Sequence, residues 1–152
     1  MKNKFFKREM GDYFVTAGML NHMNIAHGGK IINNADSTMG IFANSYCHTR
    51  TLTGRIDKFI FHKKSHAGDH INFCVTLLKT TKHTMTIYAE INRISVDGTQ
   101  KEMIGEAVFT YVAVDTNLLP VKTPIPQYKV ENSEEAKYIQ DKIEKFGLKK
   151  GF

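Results

Sequence analysis

Residues 21–40 read "NHMNIAHGGKIINNADSTMG". Two adjacent glycines, Gly28 and Gly29, precede a run with helical spacing. Gly29, Ile32, Asp36, Gly40 and Ala43 fall at intervals of three, four, four and three, with Ile31, Ala35, Met39, Phe42 and Tyr46 on the neighbouring flank. This periodicity predicts a helix of about five turns. The first turn of a helix leaves backbone N–H groups unpaired and carries a partial positive charge, and glycine lets a ligand approach because no Cβ intervenes. "AHGGK" is therefore either a donor site for a carbonyl or anion, or merely a tight entry turn. Two roles are likewise open to Asp36. On a stripe facing the core an ionised carboxylate is costly unless paired, which marks a candidate acid, base or nucleophile. If instead the helix breaks at Asn33 and Asn34, "DSTM" opens a second helix with Asp36 as its N-cap.

After "TRTLTG" the period changes. "RIDKFIF" is strand-like, "INFCVTLL" puts Ile71, Phe73, Val75 and Leu77 on one face, and "TMTIYAEINRISV" does the same with Met85, Ile87, Ala89 and Ile91. "MIGEAVFTYVAV" sets Ala107, Phe109, Tyr111 and Ala113 against Val108, Val112 and Val114. The intervening "HAGDH", "KTTKH" and "VDGTQK" are turn sequences. With a short extended piece around "YFVTAG" in front, the order is one long helix followed by four consecutive strands, predicted as an antiparallel meander. A long central helix wrapped by a curved antiparallel sheet is an α+β layout. "NLLPVKTPIPQY" cannot continue the sheet and reads as a connector. It leads to a terminal helix, "NSEEAKYIQDKIEKF", with Asn132 as N-cap, Glu135 three residues on and Gly147 as the stop. The division expected is one domain over residues 1–127 and a helical extension over 128–152.

At 152 residues, 41% hydrophobic and 24% charged, the chain has the balance of one globular domain. No stretch approaches the roughly 18 apolar residues a membrane span needs, and the basic opening "MKNKFFKREMGDYF" lacks the apolar segment of a secretion signal, so a cytoplasmic location is expected. Cys47 and Cys74 sit in apolar company, the setting of buried free thiols rather than of a disulfide or metal cluster. The net charge of +6 favours an anionic partner, yet its lysines gather at the two ends, at Lys63 and Lys64, and at Lys79 and Lys82 about a turn. Much of that excess reads as solvated tail charge. The sequence has no nucleic-acid motif and no aromatic-basic interleaving, so nucleic acid is not expected as a partner.

"NHMNIAHGGKIINNAD" resembles the hotdog-fold acyl-CoA thioesterases, the bacterial short-chain acyl-CoA hydrolases and brain-type cytosolic enzymes, whose pattern runs N-x-x-G-x-x-(F/H)-G-G-x-(L/I), an apolar helix, then Asp or Glu. Asn21, His27, Gly28, Gly29, Ile31 and Asp36 stand in register with it. "DKFIFHKKSHAGD" is similar to the family's F-x-x-P-x-x-x-G-D through Phe61, Gly68 and Asp69, and "LKTTKHTM" and "AVFTYVAVD" are similar to its later turn and strand. The similarity spans residues 15–116. Asn24, Lys64 and Thr81 depart from it, replacing a glycine, a proline and a turn glycine.

The resemblance implies hydrolysis of an acyl-CoA thioester to a free acid and coenzyme A, without metal or redox cofactor, at a site shared across a dimer. It assigns Asp36 as general base or nucleophile, the Gly29 amide as carbonyl donor, and Asn21 as the group that orients water or the carbonyl. Asp57 is the rival carboxylate, expected to pair with a lysine. Gly28 and His27 would line the pocket, and Lys63, Lys64, Lys79, Lys82 and Thr84 would contact pantetheine or phosphate. Self-association by edge-to-edge sheet pairing, with trimers of such dimers, is also implied. A protein that binds or senses acyl-CoA without turnover is the alternative.

Overall fold

The computed structural model describes residues 3–148. Lys2, Lys149 and Lys150, counted above among the clustered terminal lysines, lie outside them. The elements are β1 (Arg8–Phe14), a single 3₁₀ turn (Ala17–Met19), α1 (Gly28–Cys47), β2 (Arg50–Phe61), β3 (His70–Thr80), β4 (Thr84–Ile94), β5 (Lys101–Val114) and α2 (Ser133–Lys145). The strands form one antiparallel sheet in the order β1-β3-β4-β5-β2. This is the α+β arrangement expected, a long helix held by a sheet. No helix among the described residues is long and apolar enough to cross a membrane.

The predicted four-strand meander holds only for β3, β4 and β5. His48, in the left-handed conformation at φ 60°, ends α1 and turns the chain directly back, so β2 runs beside β5 rather than β3. The other side of β3 is taken by β1, with Arg8 opposite Val75 and Phe14 opposite His70. Residues 62–69 cross from one flank to the other, tied by His62 N to Ile104 O at 2.8 Å, Ala26 N to Ser65 O at 2.7 Å and Gly68 N to Val15 O at 2.7 Å. The leading strand also lies earlier than "YFVTAG", and β2 begins at Arg50, so "TRTLTG" belongs to the sheet.

The alternating faces of β3, β4 and β5 are placed as predicted. Ile71, Phe73, Val75, Leu77, Met85, Ile87, Ala89, Ile91, Ala107, Phe109, Tyr111 and Ala113 all face the core. The helix meets them with Ile31, Ala35, Met39, Phe42, Ala43 and Tyr46. The flank is thus the core face. The stripe through Gly29, Ile32, Asp36 and Gly40 lies at its margin, where Ile32 and Asp36 are half-buried. The helix is continuous through Asn33 and Asn34, so Asp36 caps nothing. Cys47 and Cys74 are free thiols, half-buried and buried.

The outer face of the sheet carries a second, smaller cluster. Leu78, Tyr88 and Val108 pack against Ile139 and Phe146 in and beyond α2. Asn132 caps that helix, its side chain accepting from Glu135 N at 2.9 Å, and Gly147 follows its end at φ 62°. Between β5 and β2 the backbones approach so closely at Gly105 that a Cβ there would lie 2.7 Å from Ile60 O. Gly105→Ala is expected to push the two strands apart and cost about 1–3 kcal/mol, the scale of overpacking, seen as a lower urea midpoint at unchanged slope.

Candidate active site

The predicted residues fall in three places. A cleft of about 400 Å³ is lined by Asn21, Ile25 and Ala26 of the loop before α1, by Gly28 and Ile31 at its start, by Phe61 at the end of β2, and by His62, Lys63, Lys64 and Ser65 beyond it. It gathers Asn21, Gly28, Lys63 and Lys64. A Cβ on Gly28 would sit 3.3 Å from the Phe61 ring, a tight contact, whereas Gly29 faces open space. The amides of Gly28 and Gly29 belong to the first helical turn and have no intrahelical acceptor, so both remain available to a ligand carbonyl. His27 occupies the N-cap position, but its side chain makes no capping bond and is exposed.

Asn21 holds the entry loop. Its Oδ1 accepts from Met23 N at 2.9 Å and Ile25 N at 3.4 Å, the side-chain turn that asparagine forms readily. Its Nδ2 has no acceptor among the described residues. Asn24, standing where the family pattern has glycine, adopts φ 60°, a conformation that asparagine tolerates better than most residues. The departure therefore preserves the turn. Thr81, the other substituted glycine, has no positive φ and is bonded to Thr84 across its own turn.

Asp36 lies elsewhere. Eight residues beyond Gly28, it is about 12 Å further along the helix axis. Thr53 Oγ1 donates to its Oδ1 at 2.6 Å and the Tyr111 hydroxyl donates to the same oxygen at 2.8 Å and to the Asp36 carbonyl at 2.9 Å. Thr53 and Tyr111 are cross-strand partners on β2 and β5, and Thr53 follows Thr51, which bonds to Asn44 of the helix, on the same face of β2. Burial, and then the bond to the carboxylate, push the Tyr111 hydroxyl far above its ordinary pKa, so it remains a donor. Oδ2 has no partner among the described residues. The sequence reading missed both hydroxyls: Thr53 lay in "TRTLTG", ahead of the first strand it recognised, and Tyr111 counted only as one of the strand-face residues.

Lys82 and Thr84 line a separate cavity of about 430 Å³, with Gly54, Arg55, Thr81, His83, Thr110 and Val112. Lys79 is not part of its wall. Burial, and then the neighbouring Arg55, lower the Lys79 pKa against the pull of Asp57. Asp57 is paired with Arg55, faces Lys79 closely enough to act on its pKa, and accepts from Thr110 Oγ1 at 2.7 Å. Lys63 lies 3.4 Å from Glu102, and the Lys64 carbonyl accepts from Arg93.

Residues 23–96 match the thioesterase superfamily. Over 117 residues the chain is 30% identical to the cytosolic acyl coenzyme A thioester hydrolase of Rattus norvegicus, covering 76% of this chain and 30% of that one. The chain thus spans under a third of that relative's length. Its fold superposes at TM-score 0.79 and 20% identity on an acyl-CoA hydrolase of Staphylococcus aureus solved with butyryl coenzyme A and coenzyme A, covering 91% and 84% of the two chains. That enzyme has also been solved with an asparagine, an aspartate or a threonine replaced by alanine. A hexameric thioesterase of Yersinia pestis superposes at TM-score 0.72 and 28% identity, over 78% and 95%. A thioesterase-superfamily match thus occupies residues 23–96, on the fold of the solved acyl-CoA hydrolases on which the chain superposes.

Asn21→Ala is expected to lose about 1 kcal/mol through its loop bonds and to lower the melting temperature. Asn21→Asp keeps the accepting oxygen and should melt near the unaltered protein, so the pair separates the loop's stability from any loss of turnover.

Proposed function

We propose that this protein hydrolyses an acyl-CoA thioester to the free acid and coenzyme A, with Asp36 as the reacting carboxylate. The observation that carries this is the Asp36 geometry: one oxygen fixed by two hydroxyls from adjacent strands, the other left open. Support comes also from spacing. In the Staphylococcus aureus enzyme the substituted asparagine and aspartate lie fifteen positions apart and the aspartate and threonine seventeen. Asn21, Asp36 and Thr53 have the same separations.

Within one chain the Gly28–Gly29 donors and Asp36 are too far apart along the helix to act on one carbonyl. A two-fold partner resolves this. The outer edge of β2 is unpaired among the described residues, twelve residues long, and carries exposed Leu52, Ile56 and Phe61. Pairing two such edges continues the sheet and sets two helices side by side and antiparallel. The helix start of one subunit then lies toward the middle of the other's helix. The Gly29 amide, with Gly28 beside it, polarises the thioester carbonyl, and Asn21 Nδ2 orients water or that carbonyl. Asp36 of the partner subunit takes the proton of an attacking water, or attacks the carbonyl carbon itself. The C–S bond breaks with its electron pair on sulfur, which leaves as the thiol with the proton Asp36 took from water; in direct attack the acyl–Asp36 anhydride is then opened by water, which releases the acid and supplies that proton. No metal or redox cofactor is required by these steps. Lys63 and Lys64 at the cleft, and Lys82 and Thr84 in the second cavity, are the contacts proposed for the phosphates or pantetheine. Trimers of such dimers are the proposed assembly, as the hexameric Yersinia pestis relative suggests.

Asp36→Asn keeps the oxygen that Thr53 and Tyr111 hold but removes the proton acceptor. Turnover should fall by on the order of a hundredfold or more, read as thiol release from a panel of acyl-CoAs, with coenzyme A binding and melting temperature retained. Full activity in that variant, or in a species that light scattering shows to be monomeric, sinks the shared-carboxylate mechanism. Binding of acyl-CoA without any thiol release by the unaltered protein would mark a sensor instead.

A further inference from the structure

One wall of the cleft is anchored in the interior. His62 Nε2 lies 2.8 Å from Oε1 of Glu106, which faces outward from β5 beneath α2 and whose side chain is 0% exposed. The rest of that carboxylate is filled from two other elements. The Tyr88 hydroxyl of β4 donates to Oε2 at 2.6 Å, and Lys145 Nζ, in the last turn of α2, donates to Oε1 at 2.8 Å and Oε2 at 3.0 Å. Two basic side chains thus share one buried anion, one of them at the cleft and the other on the C-terminal helix.

Other charged and titratable groups frame the pair. Glu90 stands opposite Glu106 on β4. From α2, Lys142 lies 4.8 Å from the Tyr88 ring centre and 5.0 Å from that of Tyr138. Lys63 and Lys64 follow His62 in the chain, with Lys63 beside Glu102. Burial by itself would push the Glu106 carboxyl up, but Lys145, Tyr88 and His62 bonded to it outweigh this and bring it down to about 2. The carboxylate therefore stays ionised across the neutral range, and the question is which partner supplies the compensating charge.

We propose that Glu106 is a positioning residue through which α2 sets the charge of His62, and so the positive charge that the cleft offers to a phosphate-bearing ligand. While Lys145 is docked its ammonium already compensates the carboxylate that His62 touches. Without Lys145, His62 is the remaining basic partner and is held as the imidazolium. The identity of the ligand as acyl-CoA rests on the function proposed above, whereas the coupling of His62 to α2 does not.

The test uses the full chain, with the NMR titration of the His62 ring and calorimetric binding of coenzyme A. Lys145→Met should raise the midpoint of the ring titration by on the order of one pH unit, the scale of one neighbouring charge. Coenzyme A binding at neutral pH should tighten by roughly two- to fivefold, as expected for one partly exposed charge pair. Glu106→Gln should move both quantities the opposite way. A helix that merely braces the sheet would lower the melting temperature in both variants without producing opposite shifts. An unmoved His62 titration, shifts of the same sign, or shifted titration with unaltered coenzyme A affinity overturns the proposal. Lys145 is half exposed, so Lys145→Met decides the coupling even if Glu106→Gln does not fold. If the unaltered protein binds no coenzyme A, the thioesterase assignment fails instead, and the ring titration still decides whether α2 governs His62.

Discussion

The packing of α1 into the sheet is the constraint from which the rest follows. A helix of this length has one face to bury, and here Ile31, Ala35, Met39, Phe42, Ala43 and Tyr46 fill it completely. The adjoining stripe is then held at a fixed rim, neither in the core nor fully in water. Asp36 sits on that rim, close enough to the sheet for the Thr53 and Tyr111 hydroxyls to reach it. An apolar contact therefore determines where a carboxylate is placed, and the strand register determines what it is given to bond.

Much of this was legible in the sequence, for reasons that also explain the misses. Period-two alternation in β3, β4 and β5 identified inward residues correctly, because a strand offers only two faces, but missed Ile104, which joins the core out of that phase near the start of β5. The helix offers several, and two stripes one residue apart, one through Asp36 and one through Met39, had nearly equal claims on apolar spacing alone. Chain adjacency suggested a four-strand meander. The reversal at His48 and the prior occupation of β3 by β1 are tertiary facts that local pattern does not encode. Asn24 was a departure at the level of residue identity but not of conformation, since it takes the backbone angles the glycine would.

The site was legible in part. Asn21, Gly28, Lys63 and Lys64 do share a cleft, although 35 residues of chain separate Gly28 from Lys63. Thr53 and Tyr111 were invisible because their value lies in being opposite one another across β2 and β5, a relation that requires the register. Lys82 and Thr84 sit in a different cavity from that cleft. The Asn21 side chain proved to have two separate uses, one oxygen holding its loop and one amide group left without a partner in the described chain.

The two edges of the sheet are unlike. β1 is seven residues long, is interrupted between Met10 and Tyr13, and bends at Gly11 with φ 74°. Asp12 and Glu9 engage His70 and Lys101 beside it. Short length, a bulge and charge are the features by which natural sheets refuse an incoming strand. β2 is longer, at twelve residues, and although it has two register shifts and charged Arg55, Asp57 and Lys58, it also exposes Leu52, Ile56 and Phe61. A sheet with one receptive border and one refractory border can be extended across the first and then has nowhere further to grow. If two β2 edges pair as proposed, strand addition ends there, because the short β1 edge, kinked at Gly11, offers no continuation.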